Sequence, residues 1–540
     1  MDGQEIIDTV RFISQFHRAR GSDEYKLLLE RLKELLLSWG IEERQIETIE
    51  YSTGGVRYGN FDSTMVWNVK DAELWLEKPR TFLSSFKNCK TSVLFGSHST
   101  NGWRTLELVD ETYTGDLRDK AVLVQMNPSK AFKQFVEERG AKCLLVYFMR
   151  AQDESIGRTP AQMPDTVNYL SLPHTLKASQ HKSFGFSLTY RQYELLKSLT
   201  NKNFKVRLFV DASLNVGTLQ VLRVRFEGAL KKRIGIVAHL CHPNPGANDN
   251  ASGSALALHL CRELKQKTLG FGVDVILLPE FYGSLPYASQ NNDYEFVINL
   301  DMVGEDQQKT GSTMMLHETP PLLNTIYDEL LYDSMMLFAP TSSDSFSRRF
   351  YRSTFKSGSD HSVFENYAVP SPFLGQWPDR YYHTNEDTPD KCDPEMFEWV
   401  GKAVLRTVEL APSLPDYIVE QALGRVRSFL KKIVGKPGSD IIESVVKRAH
   451  GEKIEPVEPK LHIFPAAEGP LGYEWFDKAG ELSEKREIVN LGEVIQLAAR
   501  YTQDYDATVT FASTYLNVDA KTTQDVIDLL LKNEFLRRIN

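Results

Sequence analysis

The sequence predicts an α/β fold: a mainly parallel mixed sheet with helices on both faces. A small inserted α/β domain and a C-terminal helical, winged-helix-like domain accompany it. Three observations carry this expectation. From about residue 204, short apolar runs alternate with amphipathic stretches of helix length, the pattern of strands buried on both faces. A separate group of short apolar runs lies between about 80 and 200. Beyond about 415 the texture becomes lysine-rich and punctuated by Pro and Gly, then helical. At 540 residues the chain exceeds one ordinary domain. The boundaries that follow are 1–83 with 201–415 for the main domain, 84–200 for the insert and 416–540 for the last domain.

The elements follow in order. Residues 5–39 hold two helical patterns, the second with leucines at i, i+3, i+4 and i+7 in "YKLLLERLKELLLSW". "QIETIEY" is a strand. In the insert, "DKAVLVQM" and "AKCLLVYFM" are buried strands flanking a helix, "KAFKQFVEERG", and a polar loop, "GRTPAQMPDTVNYLSLP", follows. "KVRLFVDA", "LQVLRVRFEG" and "RIGIVAHL" are strands, and "ASGSALALHLCRELKQK" is a helix. "VDVILLPE" and "FVINLDMVG" are buried strands, "PLLNTIYDELLYDS" a helix, "PSPFLGQW" a strand and "PEMFEWVGKAVLRTVELA" a long helix. The final stretch, "VIQLAARYTQDYDATVTFASTYLNVDAKTTQDVIDLLLKNEFL", gives helix, helix, a turn at "NVD" and a helix, the outline of a helix-turn-helix or winged-helix module.

Composition narrows the functional classes. The net charge of −9 argues against a chain built mainly to bind nucleic acid. Residues 491–540 carry five basic against seven acidic side chains, whereas a DNA reader needs cations for phosphates. No apolar run approaches a membrane span of roughly 18 residues, and the acidic, amphipathic start does not read as a signal peptide. Five scattered cysteines with no C-x-x-C pair form neither a disulfide framework nor a four-cysteine zinc site. A cytoplasmic location is expected.

The chemistry lies at strand ends. "RIGIVAHL" delivers His239, the next loop places Asp249 before a helix, "VDVILLPE" ends at Glu280, "FVINLD" ends at Asp301, and His383 follows "PSPFLGQW" in "YYHTNEDTPD". Open α/β sheets bind ligands beyond the carboxyl ends of their strands. Two histidines with several carboxylates form an N/O set suited to Zn²⁺ or a similar divalent ion. Each residue alone has a plainer reading: a loop histidine, an N-cap run or strand-end ion pairs. Their conjunction and order favour a metal site. His242, in the loop before a proline, fits the substrate side or a position behind the ligands better than ligation. HExxH, G-x-S-x-G, P-loop and dinucleotide signatures do not occur in the sequence.

"GANDNASG", a strand ending in Glu before "GS", "NLDMVG", "SGSDHSVF" and "YYHTNEDTPDK", in that order, resemble the M28 family of zinc aminopeptidases. The resemblance covers roughly 205–410 and the N-terminal helices. The insert looks like a protease-associated domain, and the C-terminal unit resembles a branch that couples such a domain to a winged helix. The resemblance implies His239 and Asp301 on one metal, His383 on another, and Asp249 bridging them. The implied cofactor is one or two Zn²⁺ ions, with Co²⁺ or Mn²⁺ as alternatives, and a glutamate serves as general base. Cys241, His242, Asp360, His361 and Asp387 are placed behind the ligands or beside the substrate, with a structural role for His361 at least as well supported.

Two departures stand out. The family usually has two adjacent glutamates, one base and one ligand, but here Glu280 stands alone in "LLPEFYG". Counting back from Gly283 favours the base, while a two-residue deletion would make it the ligand. Cys241 occupies the place of an aspartate that normally buttresses the first histidine, and could itself be a ligand. The expected activity is a metal-dependent aminopeptidase acting on short peptides, with the insert covering part of the cleft. A glutaminyl-cyclase-like acyltransferase, which manages with one zinc, and a non-catalytic binding or regulatory protein with a helix-turn-helix are the alternatives. Membrane and nucleic-acid partners are not expected, and self-association through the C-terminal or inserted domain stays open.

Overall fold

The computed structural model describes residues 1–340, 348–472, 475 and 486–539. Two sheets dominate it. The larger has eight strands in the order Ile46–Thr53, Gly217–Phe226, Gly272–Leu278, Arg233–His239, Tyr294–Leu300, Phe373–Trp377, Thr313–His317, Phe350–Ser353. The four strands from Gly272–Leu278 to Phe373–Trp377 run parallel. Antiparallel neighbours flank them on both sides, and the last pair is again parallel. This is the mixed sheet that the apolar runs predict.

Side chains alternate across the central strands, so each face meets its own core. Ile236, Ala238, Val275 and Leu277 point into a large cluster with Ile6, Val10, Leu256, Leu260, Trp399 and Val400. These come from the helices Gly3–Ile13, Gly253–Leu264 and Pro394–Leu410. Val237, Ile276, Leu278 and Val297 point the other way, onto Leu285, Val363 and Phe364. Covered on both sides, these strands have no polar face to show in the sequence.

The second sheet has seven strands: Thr81–Ser85, Val66–Leu76, Lys205–Asn215, Arg104–Asp110, Lys120–Val124, Cys143–Val146, Phe184–Ser187. This sheet therefore reaches beyond residues 84–200 on both sides. Val66–Leu76 and Lys205–Asn215 lie outside those limits, yet they pair antiparallel along their whole length and complete the sheet. Lys205–Asn215 buries only alternate residues near its start and is more open toward its end, so its apolar content gives no clear boundary. One residue later, beyond Val216, the chain enters the larger sheet at Gly217. The two sheets are joined by a nearly continuous extended stretch.

The C-terminal region begins with two helices, Asp416–Ile433 and Ser439–Ala449, where the sequence suggests only a lysine-rich texture. Arg486–Thr502, Tyr505–Leu516 and Ala520–Lys532 follow as expected. His462–Pro465 and Leu536–Ile539 form an antiparallel ribbon beside them. This unit docks on the main domain: Phe355 N donates to Tyr515 Oη (2.8 Å), Ser357 N donates to Asn490 Oδ1 (3.0 Å), and Tyr501 Oη donates to Glu365 O. Among the described residues no helix is long and apolar enough to cross a membrane.

At the amino end of the central strands, the fully buried Asp274 carboxylate accepts from Arg233 Nη2 (2.5 Å), Arg225 Nε (3.3 Å) and Tyr294 Oη (2.8 Å). Burial alone would raise its pKa, but the two guanidinium groups and the phenol hold it below the ordinary carboxylate range. Its stabilising contribution is therefore present above that range and is lost on acidification through the depressed pKa. Asp274→Ala would leave the largely buried Arg233 guanidinium and the Tyr294 phenol without their anion, and should cost about 3–5 kcal/mol in urea unfolding. The opposite ends of the strands lie roughly 20 Å away, so bound metal should be retained by the folded fraction.

Candidate metal centre

The parallel strands Gly272–Leu278, Arg233–His239 and Tyr294–Leu300 end side by side. His239 closes its strand, Asp301 follows its strand directly, and Glu280 comes two residues after Leu278. Their donor atoms lie within 4.8 Å of one another. A second triplet, His242, Asp249 and His383, is equally tight. All six residues are buried except Glu280 and His383, which are half-buried.

Asp249 joins the triplets. Its Oδ1 lies 3.2 Å from His239 Nε2, while its Oδ2 lies 3.0 Å from His383 Nε2 and 3.5 Å from His242 Nε2. His239 Nε2 also lies 3.2 Å from Asp301 Oδ1. The imidazoles of His239 and His242 turn their far nitrogens to main-chain carbonyls: His239 Nδ1 to Cys241 O (3.1 Å) and His242 Nδ1 to Pro243 O (2.8 Å). A proton held there leaves the Nε2 lone pair free to bind a metal. Each triplet offers nitrogen and carboxylate oxygen, the set that suits Zn²⁺ and similar divalent ions. The residues present therefore fit two cations sharing Asp249.

The electrostatics point the same way. Burial disfavours a charge on His239, but Asp301, Glu280 and Asp249 outweigh it and raise its pKa well above the usual value. Burial pushes Glu280 well above the carboxylate range; His239 opposes this, and Asp301, Asp360 and Asp249 reinforce it. Burial would also raise Asp249, yet the surrounding imidazoles hold it well below the ordinary range. Crowded acids of this kind, shielded from water, call for positive charge.

The "NDNASG" segment is explained by alternation. Asn248 Oδ1 accepts from Gly304 N (3.2 Å), Asn250 Oδ1 accepts from Met302 N (3.1 Å), and Ser252 Oγ accepts from Val303 N (3.1 Å). Asn250 Nδ2 donates to Leu300 O (2.9 Å). The even-numbered polar residues thus staple this turn to the end of the Asp301 strand, and the one acid among them faces the centre. Asp387 fixes the same turn from the other side, accepting from Asn248 N (2.8 Å) and Asp249 N (3.1 Å). A Cβ on Gly253 would stand 2.3 Å from Leu300 O, so only glycine allows this approach.

The remaining site expectations sort as follows. His242 joins the Asp249 triplet rather than standing behind it. The sequence hides this, because a histidine between Cys241 and Pro243 shows no strand end and no helical spacing. Its position depends on Arg18, which pairs with it main chain to main chain (2.9 and 3.1 Å). The buried Arg18 guanidinium also donates to the carbonyls of Ile13, Phe16, Leu240, Pro245 and Gly246. Cys241 joins neither triplet: its carbonyl buttresses His239, replacing the absent aspartate, and its Sγ accepts from Glu280 N (3.2 Å). Asp360 accepts from Phe281 N (2.9 Å) and Ser284 Oγ (2.6 Å), holding the turn after Glu280, where Phe281 has φ of +56°. His361 is a packing residue. Its Nε2 bonds Lys356 O (2.7 Å), and its ring meets Phe355 and Phe373.

The insert helps build the centre. Tyr169 N donates to His383 O (2.7 Å), Asn385 N donates to Val167 O (3.0 Å), and Val167 N donates to Asn385 Oδ1 (2.8 Å). The Tyr169 ring lies 5.2 Å from that of His242 and 5.1 Å from that of His383. Arg158, buried, donates to Arg380 O (2.6 Å) and Tyr382 O (2.8 Å), clamping the segment before His383. Neither Arg18, Arg158 nor Tyr169 belongs to a sequence motif.

Residues 222–408 match the family described as Peptidase family M28. A curated relative, a putative polysaccharide biosynthesis protein with aminopeptidase-like domain from Clostridium acetobutylicum, is 30% identical over 112 residues. That match spans 21% of this chain and about a quarter (24%) of the relative. Among solved structures, a putative peptidase from Clostridium acetobutylicum aligns over 99% of this chain and 96% of its own, with TM-score 0.55 and 15% identity. BSAP, a zinc aminopeptidase from Bacillus subtilis, covers 76% of this chain and 95% of its own, with TM-score 0.54 and 17% identity. A Peptidase M28 precursor from Shewanella amazonensis gives 0.52 and 15% over 76% of this chain and 92% of its own. At these identities the solved structures establish the fold.

Two outcomes test the geometry. If His242 holds a divalent ion, His242→Ala should lower the metal content per chain, read by elemental analysis after zinc loading and dialysis. An unchanged content would remove His242 from the candidate ligands. Arg158→Met, which keeps the bulk and removes the clamp, should weaken the affinity of the His383 position by about 10–100-fold, the usual range for residues that orient a ligand. Zinc competition against a chromophoric chelator measures it.

Proposed function

We propose that this chain, with its Peptidase family M28 match over residues 222–408, is a metal-dependent aminopeptidase that removes N-terminal residues from short peptides. The observation that carries this reading is the Asp249 carboxylate, with His239 on one oxygen and His242 and His383 on the other. His239, Asp301 and Asp249 would hold one divalent ion, zinc in the first instance, and His242, His383 and Asp249 a second. Such ions, when bound, supply the positive charge that polarises a scissile carbonyl and acidifies the attacking water.

The chain's own residues do the rest. Glu280 is the general base. It stands beside both His239 and Asp301 and is half-buried rather than fully enclosed, the placement that a general base needs. It takes the proton of the attacking water and returns it to the leaving amine. Cys241 Sγ and Asp360 fix the main chain on either side of it. A free, unprotonated α-amino group can serve as a further nitrogen donor beside such ions, which would favour cleavage at a free N-terminus. Tyr169, from the insert, narrows the cleft over His242 and His383, which supports short substrates. The acyltransferase alternative rests on a reduced ligand set, and His242 supplies the missing donor, so the hydrolase is the better reading. The helices Tyr505–Leu516 and Ala520–Lys532 with their ribbon support a winged-helix-like arrangement, used here as a docking unit. The five free cysteines support a reducing, cytoplasmic setting.

The test pairs chemistry with metal content. Zinc-loaded protein should hydrolyse a panel of aminoacyl p-nitroanilides and dipeptides and lose that activity to a chelator. Glu280→Gln should retain metal and lose about 10²–10⁴-fold in kcat, the span of a general base. Loss of metal would make Glu280 a ligand, and a fully loaded protein inert on every substrate would sink the peptidase reading.

A further inference from the structure

Two carboxyl groups are sealed where the C-terminal unit docks on the main domain. Glu365 lies on the short helix His361–Asn366 and is fully buried. Among the described residues, neither oxygen of its side chain has a hydrogen-bond partner. Asp328, on the helix Ile326–Leu337, is equally buried. Its Oδ1 accepts from Thr319 N (2.7 Å), while its Oδ2 has no partner.

The docked unit closes over this place. The helix Arg486–Thr502 packs against the Glu365 helix, and its Tyr501 Oη donates to Glu365 O. Tyr515, on the next helix, bonds Phe355 N and faces both acids: burial and Glu318 raise its pKa, and Glu365 and Asp328 add to that. The cations at this boundary are committed elsewhere. Arg352 pairs with Glu318 and Glu329 (2.6 Å), and Arg425 of the unit pairs with Glu318 (2.8 Å). Arg500 Nη2 donates to Ala467 O (3.1 Å). Other titratable groups on the elements packed against the Glu365 helix are engaged too. Tyr287 bonds Tyr294 (2.7 Å), Tyr294 bonds Asp274 (2.8 Å), Glu295 pairs with Lys232 (2.9 Å), and Glu493 accepts from Leu471 N (3.1 Å). Glu487 is exposed.

A carboxylate sealed from water with neither cation nor donor is unfavourable as an anion. Burial accordingly holds Glu365 well above the ordinary carboxylate range, and the Asp328 charge reinforces it. Burial raises Asp328 to about 7, against the pull of Thr319 N.

We infer that Glu365 is a pH-sensitive latch: its protonated carboxyl is compatible with the docked C-terminal unit, and its ionisation releases the unit. Linkage gives the direction. Once water reaches Glu365, it ionises in the ordinary carboxylate range, whereas the docked form keeps the proton. Docking is therefore firmest at acid pH. Above that range it weakens by about tenfold per pH unit, until the docked carboxyl itself ionises. The latch adjoins the support of the candidate base, because the residue before this helix, Asp360, fixes the turn after Glu280.

Hydrogen exchange of the full chain, read by mass spectrometry between about pH 6 and 9 and corrected for base-catalysed chemical exchange, follows the helices Arg486–Thr502 and Tyr505–Leu516. In the parent protein their opening constant should rise by up to about tenfold per pH unit. Glu365→Gln, which keeps the shape without the ionisation, should flatten that profile. Glu365→Met, which leaves no polar group to satisfy, should flatten it as well and guards against a folding defect in the first variant. An opening constant independent of pH in the parent, or a slope that either folded variant leaves unchanged, overturns the inference. No turnover is measured, so the outcome is independent of the peptidase reading.

Discussion

The Asp249 carboxylate organises the centre because three imidazoles converge on its two oxygens. Asp301 and Glu280 stand within a few ångströms of the same His239. At an effective dielectric near 20, two like unit charges 4 Å apart repel by about 4 kcal/mol. Three carboxylates so confined are relieved by protonation, as the raised pKa values of His239 and Glu280 indicate, or by cations held among them. The fit to divalent cations is therefore a property of the packing as well as of the residue types.

Holding Asp249 in place takes parts of the chain that lie far apart. The staples from Asn248, Asn250 and Ser252 reach the end of the neighbouring strand. Asp387 grips the same turn from beyond His383. Arg18, from the N-terminus, spends a buried charge on carbonyls of the loop that carries His242. Arg158 and the 167–169 segment do the equivalent for His383 from within the insert. Each ligand is fixed by main-chain contacts to another element, and such oriented ligands bind more tightly than flexible ones. Removal of the whole insert would accordingly disturb His383 itself, so a point change at Tyr169 probes the centre more cleanly than a deletion of 84–200.

Strand-end residues were legible because a buried parallel strand is a continuous apolar run, and the residue that ends it is placed by the sheet alone. His239, Glu280 and Asp301 follow from that rule. His242 does not, because its position is set by a loop braced from Arg18, with no periodicity to reveal it. The edges of the insert were hidden for a related reason: Val66–Leu76 and Lys205–Asn215 are long strands with mixed polar and apolar surface. In the helix Asp416–Ile433 the buried residues Ile418, Ala422, Val426, Phe429 and Ile433 keep a helical spacing. Lysines and arginines between them blurred that stripe into the lysine-rich texture.

The departure at Glu280 has an electrostatic consequence. In the resemblance to M28 enzymes a second glutamate would stand with the counterpart of His383, whereas here His242 groups with His383 and Asp249. A neutral imidazole in place of a carboxylate makes the centre less negative by one charge, so cations held there would be less neutralised by their ligands. That change comes from a loop of the main domain braced by Arg18, whose main chain pairs with His242 and whose guanidinium holds the carbonyls of Leu240, Pro245 and Gly246. The charge balance of the centre is thus set by a braced loop and not by the strand ends alone.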